Sequence, residues 1–172
     1  MRIIALAIFI LPPLLAACAT LDEGECRTGN WQNIGENDGI AGRSASFISN
    51  HAEACAEYGI RPDIKEWEKG RRAGLKFYCT PQRAFTLGRK GRHLSPVCPA
   101  DQIEQLEHEN QRGFRLFHIE REIDQIEDEI DSINLALSRL PLGDPQRASL
   151  ISERAILRLD LWSLRAERAR YI

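Results

Sequence analysis

Five cysteines, four histidines and one aspartate set among glycines are the side chains of this sequence whose types and spacing invite chemistry. Cys26, Cys55, Cys79 and Cys98 form an even set. In an exported chain such a set reads as two disulfides, with three possible pairings. A zinc site is the competing use of the same thiols, since His51 stands four residues before Cys55 and His93 five before Cys98. Zinc ligands normally arrive in tight pairs such as Cys-x2-Cys, which this chain lacks, so disulfides are the expectation and no metal is expected. Cys18 stands apart from the set. His51, His93, His108 and His118 belong to no catalytic pattern, and there is no Gly-x-Ser-x-Gly, P-loop or His-Glu-x-x-His. Glu127, Asp128, Glu129 and Asp131 read as a solvated helix face rather than an acid/base pair. Asp38, between Gly35 and Gly39 and downstream of Trp31, is the one carboxylate in a specific setting, and a structural hydrogen bond is expected of it. No catalytic residue and no cofactor are expected.

A basic block offers a different chemistry. Lys65, Lys69, Arg71, Arg72, Lys76, Arg83, Arg89, Lys90 and Arg92 are interleaved with Tyr78 and Phe85. In a cytoplasmic protein this pattern would suggest nucleic acid. Export removes that partner and leaves anionic headgroups, lipopolysaccharide phosphates or cell-wall carboxylates. An acidic block precedes it: residues 22 to 58 hold seven acids against two arginines, and residues 60 to 93 hold ten bases against three acids. Mutual compensation of the two blocks is the plainer reading of both.

Export itself is read from the first eighteen residues. Met1 and Arg2 lead into the apolar run Ile3 to Leu11, then Pro12-Pro13 and Leu15-Ala16-Ala17-Cys18. A basic start, a short apolar core and a small-residue exit are the parts of a signal peptide. The proline pair breaks a stretch already short for a membrane span. The final tetrad resembles the bacterial lipobox, in which the cysteine sulfur is diacylated and becomes the new N-terminus. Several acyl chains anchor a protein stably where one does not. Ala19 follows the cysteine, so the periplasmic face of the outer membrane is the expected location.

The elements that must position these residues are helical. Gly35/Gly39 and Gly70/Gly74, each pair following a tryptophan, recur at four-residue spacing. On helices each pair lies on one face and permits close backbone approach, at about 1 kcal/mol per glycine relative to alanine. Ser46 to Tyr58 reads as a short helix, and Pro62-Asp63 opens another that reaches Cys79. From Thr80-Pro81 to Pro99 the glycines and prolines predict an extended, turn-rich excursion flanked by Cys79 and Cys98. Closure of that excursion pairs Cys79 with Cys98, and antiparallel packing of the first two helices pairs Cys26 with Cys55. Beyond Pro99, Ile119, Ile123, Ile126, Ile130, Ile133, Leu137 and Leu140 trace a coiled-coil seam. A break at Pro141 and an Asp144-Pro145 start predict a second helix to about Arg170. An antiparallel hairpin centred on Leu142 and Gly143 then sets Asp131 near Arg154, Glu127 near Arg158 and Glu120 near Arg165.

The chain resembles a family of proteobacterial lipoproteins defined only by a domain of unknown function. The resemblance rests on Trp31-x3-Gly35-x2-Asp38-Gly39-x2-Gly42, Cys55, Gly70-x3-Gly74-Leu75, Tyr78-Cys79-Thr80, Gly88-Arg89-x-Gly91 and Val97-Cys98-Pro99. It implies export, lipidation and an envelope location, and carries no catalytic residues with it.

The resulting expectation is a mainly α protein. Its signal peptide covers 1–17 and a lipidated N-terminus and spacer cover 18–25. A small disulfide-stapled head follows at 26–99, and a long antiparallel helical hairpin at 100–172. Its expected role is structural or adaptor-like: tethered by palmitate-type lipid on Cys18, it binds an envelope protein or peptidoglycan, and no nucleic acid. The basic residues Lys65, Lys69, Arg71, Arg72, Lys76, Arg89, Lys90 and Arg92 are the candidate anionic-partner surface. A wall or lipid hydrolase centred on Asp38 or His51, or a periplasmic metal-binding protein, are the alternatives.

Overall fold

The computed structural model describes residues 20–171, and the regular elements within them are all helical. Residues 1–17, expected to be a signal peptide, and Cys18 lie outside the described residues. The chain is packed from its first described positions. Leu21 is buried with Cys26, Trp31, Cys55 and Trp67. Asp22 and Glu25 form a reciprocal cap on α1 (Glu23–Thr28). Residues 20 to 25, expected as part of a spacer, are therefore already on the head.

Several of the following helices are started by a side chain that satisfies otherwise unpaired amides. Asn30 caps α2 (Trp31–Ile40). A single 3-10 turn (Ala45–Phe47) runs into α3 (Ile48–Ala56). Asp63 accepts from Lys65 and Glu66 to open α4 (Ile64–Tyr78). The segment after Cys79 corrects the sequence expectation, for it contains a helix, α5 (Pro81–Arg89), rather than an extended excursion. Thr80 caps it through Arg83 N at 3.2 Å, and Pro81 occupies the first turn, where a missing N–H costs nothing. The proline that suggested a break was a start signal. The extended part is limited to the stretch around Leu94 to Pro99.

Two helix crossings build the head, and both are made by glycine. On α2 and α4, a Cβ at Gly35 would overlap the Trp67 carbonyl, and one at Gly70 would overlap that of Gln32. Gly39 and Gly74 meet in the same way one turn on. On α5 and the start of α6 (Ile103–Arg139), Gly88 lies against the Asn110 carbonyl and Gly113 against that of Phe85. The two crossings share one register. Gly39, Gly42 and Arg43 recur 49 residues on as Gly88, Gly91 and Arg92, and Arg71, Gly74 and Tyr78 recur 39 residues on as Asn110, Gly113 and Phe117. Gly42 lies against the Tyr78 ring and Gly91 against the Phe117 ring, both glycines at positive φ. Arg71 Nη1 donates to the Arg43 carbonyl at 3.1 Å, and Asn110 Nδ2 to the Arg92 carbonyl at 3.0 Å. Each pair also carries one disulfide joining the chain ahead of its first helix to the chain ahead of its second: Cys26 to Cys55, and Cys79 to Cys98. The head is a structural duplication. Tyr78 ties its halves by accepting a hydrogen bond from Ser95 N at 2.8 Å.

The same α6 continues into a hairpin with α7 (Gln146–Arg168). Ile119, Ile123, Ile130, Ile133 and Leu137 of the seam are buried. Asp144 accepts from Gln146 N at the start of α7, and Arg147 donates to the Leu137 and Leu140 carbonyls at the end of α6. The arms are antiparallel, but their ion pairing is shifted from the expected levels. Glu127 meets Arg165 at 2.6 Å rather than Arg158, and Glu120 meets Arg89 of α5 at 3.1 Å. Arg154 reaches Asn134. Helical side chains tilt toward their own N-terminus, so an arginine on α7 reaches back toward the turn and meets a later residue of α6.

Candidate functional site

Asp38 is the hub of the most specific polar cluster in the head. Its Oδ2 accepts from Trp67 Nε1 at 2.8 Å and from His51 Nε2 at 2.7 Å. The other ring nitrogen of His51 lies 2.9 Å from Thr20 Oγ1. α2 supplies the carboxylate, α3 the imidazole, α4 the indole and the N-terminal segment the hydroxyl. Because Asp38 can only accept when ionised, Nε2 carries its proton, and in the neutral ring Nδ1 accepts from the Thr20 hydroxyl.

The duplication supplies a comparison within one molecule. At the positions equivalent to Asp38 and Trp67 the second pair has Leu87 and Leu106, both buried. The second crossing therefore forms without a carboxylate at this position, its buried polar side chain being Asn110 at the place of Arg71, and Asp38, Trp67, His51 and Thr20 are an addition peculiar to the first pair. The connectivity hydroxyl, imidazole, carboxylate is that of a hydrolytic triad. Here the imidazole is buried, His51 being 2 % exposed, Asp38 is half-buried and Thr20 is exposed. What the cluster does do is hold Thr20, the first described residue, against the head. Sequence reasoning singled out Asp38 and His51 but missed Thr20 and Trp67. Their roles depend on three helices and the N-terminal segment meeting, which spacing along the chain does not encode.

The four cysteines among the described residues are paired in disulfides. Among the described residues no group of three or more His, Cys, Asp or Glu side chains is placed to hold a metal ion. His93 and His118 flank Phe114, with ring centroids 4.6 and 6.3 Å from it, along a surface groove that also includes Glu107, Gln111 and Arg115.

The basic block divides on folding. Lys65, Lys69, Arg72 and Lys76 line one groove along α4. Arg71 does not belong to that surface. It is 8 % exposed, bonded to both carboxylate oxygens of Glu68 at 2.7 and 3.1 Å, and lies over the Trp67 ring. Its sequence neighbours gave it a surface role, but its position on the helix turns it into the crossing. Glu68 also binds Arg72, and the Arg71 hydrogen bond is the largest of the effects that hold its carboxyl below the ordinary carboxylate range. Lys69 pairs with Glu66 and Arg89 with Glu120. Lys90 and Arg92 are exposed at the end of α5.

Fold and cluster together define a class: an all-helical head of two disulfide-stapled, glycine-crossed helix pairs, extended by a helical hairpin. A family model described as a protein of unknown function, DUF2799, matches residues 30–115, half of the chain, and the chain belongs to that family. The matched span runs from the cap of α2 to just past Gly113 of α6, so it takes in both glycine crossings. No curated protein matches the chain, and no solved structure does.

Proposed function

We propose that this chain is a lipid-anchored lipoprotein of the bacterial envelope, structural or adaptor-like, that acts by holding and binding rather than by catalysis. In this reading it is cut before Cys18, carries palmitate-type acyl chains there and sits on the periplasmic face of the outer membrane. Its head and hairpin meet an envelope protein or peptidoglycan. The observation that carries the reading is the tetrad Leu15-Ala16-Ala17-Cys18 after an apolar run, ending two residues before the packed head. Two disulfides fit an oxidising compartment. Metabolic labelling with a palmitate analogue tests it. Wild type incorporates label and fractionates with membranes, and Cys18→Ala does neither; equal fractionation without label would overturn it.

The hydrolase alternative has one observation in its favour, the chain from Thr20 through His51 to Asp38. The burial of His51 favours a latch on the N-terminal segment instead. Hydrolysis of a cell-wall or lipid substrate that is lost in His51→Gln, with folding intact, would reinstate it.

A further inference from the structure

α7 carries two apolar faces, and α6 covers one. Toward α6 lie Leu157, Leu161 and Leu164. On the opposite side Ala148, Ile151, Ala155, Leu159, Trp162 and Ala166 follow one another at spacings of three and four, and all six are exposed. Ile151 is 45 % exposed, Leu159 69 % and Trp162 74 %. Such spacing makes a continuous stripe on a helix of 3.6 residues per turn.

The charges beside the stripe indicate what covers it. At 100° per residue, Arg147, Arg158 and Arg165 border one edge, and Ser152, Ser163 and Arg170 the other. The acids of the helix, Glu153, Asp160 and Glu167, lie on the far arc. Arg165 is neutralised by Glu127, and Arg158 shares a groove with Glu127 and Asp131 of α6, whereas Arg147 keeps its charge while bonded to carbonyls. A second copy is a poor match. In an antiparallel pair the arginine edges would face each other, and in a parallel pair they would face serines and Arg170. The stripe asks for an anionic partner. Trp, Leu and Ile on one face with arginines at its edges is the pattern of a helix lying in a membrane interface, where arginine stems stretch to the headgroups.

We propose that this outward face of α7 is a membrane-contact surface, lying flat on an anionic phospholipid layer. No helix among the described residues is long and apolar enough to cross a membrane, consistent with contact rather than insertion across it. The proposal rests on the lipid-anchored reading only for what brings the membrane near; the charge match stands without it.

Trp162 is its own reporter, since Trp31 is 7 % exposed and Trp67 1 %. The full chain is placed on phosphatidylcholine vesicles with and without phosphatidylglycerol. With the anionic lipid, Trp162 emission is expected to shift to the blue, to be quenched by brominated acyl chains and to lose accessibility to acrylamide, all reversed by high salt. Leu159→Glu is expected to abolish the shift while the helical circular dichroism and any Cys18-dependent flotation persist. Trp162 remaining acrylamide-accessible on both vesicles would overturn the proposal. So would protection seen only in whole envelope preparations, which would assign the stripe to a protein. If Cys18 proves unacylated, the chain added to preformed vesicles gives the same readout, so the two readings fail separately.

Discussion

Asp38 accepts two hydrogen bonds on a single oxygen from donors that are almost wholly buried, so its removal strands both. Asp38→Ala is expected to cost about 2–4 kcal/mol, because a buried donor without a partner loses its full desolvation energy. Urea unfolding would measure this, and a loss below about 0.5 kcal/mol would show the latch to be ornamental. Glu68 gives a pH dependence. Its carboxyl is held below the ordinary range chiefly by the Arg71 hydrogen bond, so the fold favours the ionised form. That contribution is complete above the ordinary glutamate range and disappears as pH falls through the lowered folded value. Glu68→Gln is therefore expected to lower stability at neutral pH and to flatten the acid side of the stability profile, read from midpoints at pH 3 to 7. At this scale the sequence marked Asp38 as special from its glycine setting. It could not distinguish Arg71 from Arg72, because which of two adjacent arginines enters a crossing depends on the rotation of α4 against α2.

Helices were legible where apolar periodicity or a clean cap announced them, as for α4 and α6, and the glycine spacing correctly implied close backbone approach. α5 was hidden by Pro81, Gly88 and Gly91, residues that break helices in isolation. Here they open one, cross another and terminate it. The glycines make a graded test. Gly39→Ala drives a methyl into the Arg71 carbonyl region and is expected to cost more than about 3 kcal/mol, since neither backbone can yield. Gly59→Ala meets nothing within 4 Å, but its φ is 71°, so only the left-handed backbone cost of about 1–2 kcal/mol is expected. Thermal melts of both variants would rank them, and the reverse order would refute the crossing argument. The disulfides close loops with separations of 29 and 19 residues. Removing either as a Cys→Ser pair is expected to cost about 2–4 kcal/mol, measurable by unfolding under non-reducing conditions.

Over the whole molecule the duplication is the feature that reading along the chain failed to find. Its signature, Gly-x2-Gly-Arg, appears at residues 39 to 43 and 88 to 92, but the partner helices recur at a different interval, 39 rather than 49 residues, so no single period exists to be detected. The two halves and the hairpin differ in how they are held. Crossings locked by backbone contact and disulfides should exchange amide protons last, whereas in α7 Leu161 is the one buried residue among those described. Hydrogen exchange is expected to show α7 opening first, without unfolding of α2 and α4; uniform protection would contradict this.

The uninterrupted course of α6 from the Gly88–Gly113 crossing to the hairpin turn makes it a lever with its fulcrum in the head. From Gly113 to Arg139 it extends about 39 Å at 1.5 Å per residue. A tilt of about 5° at the fulcrum would carry the tip about 3 Å, so the loss of one hydrogen atom's worth of clearance between two glycines would be felt, magnified, at the far end of the molecule.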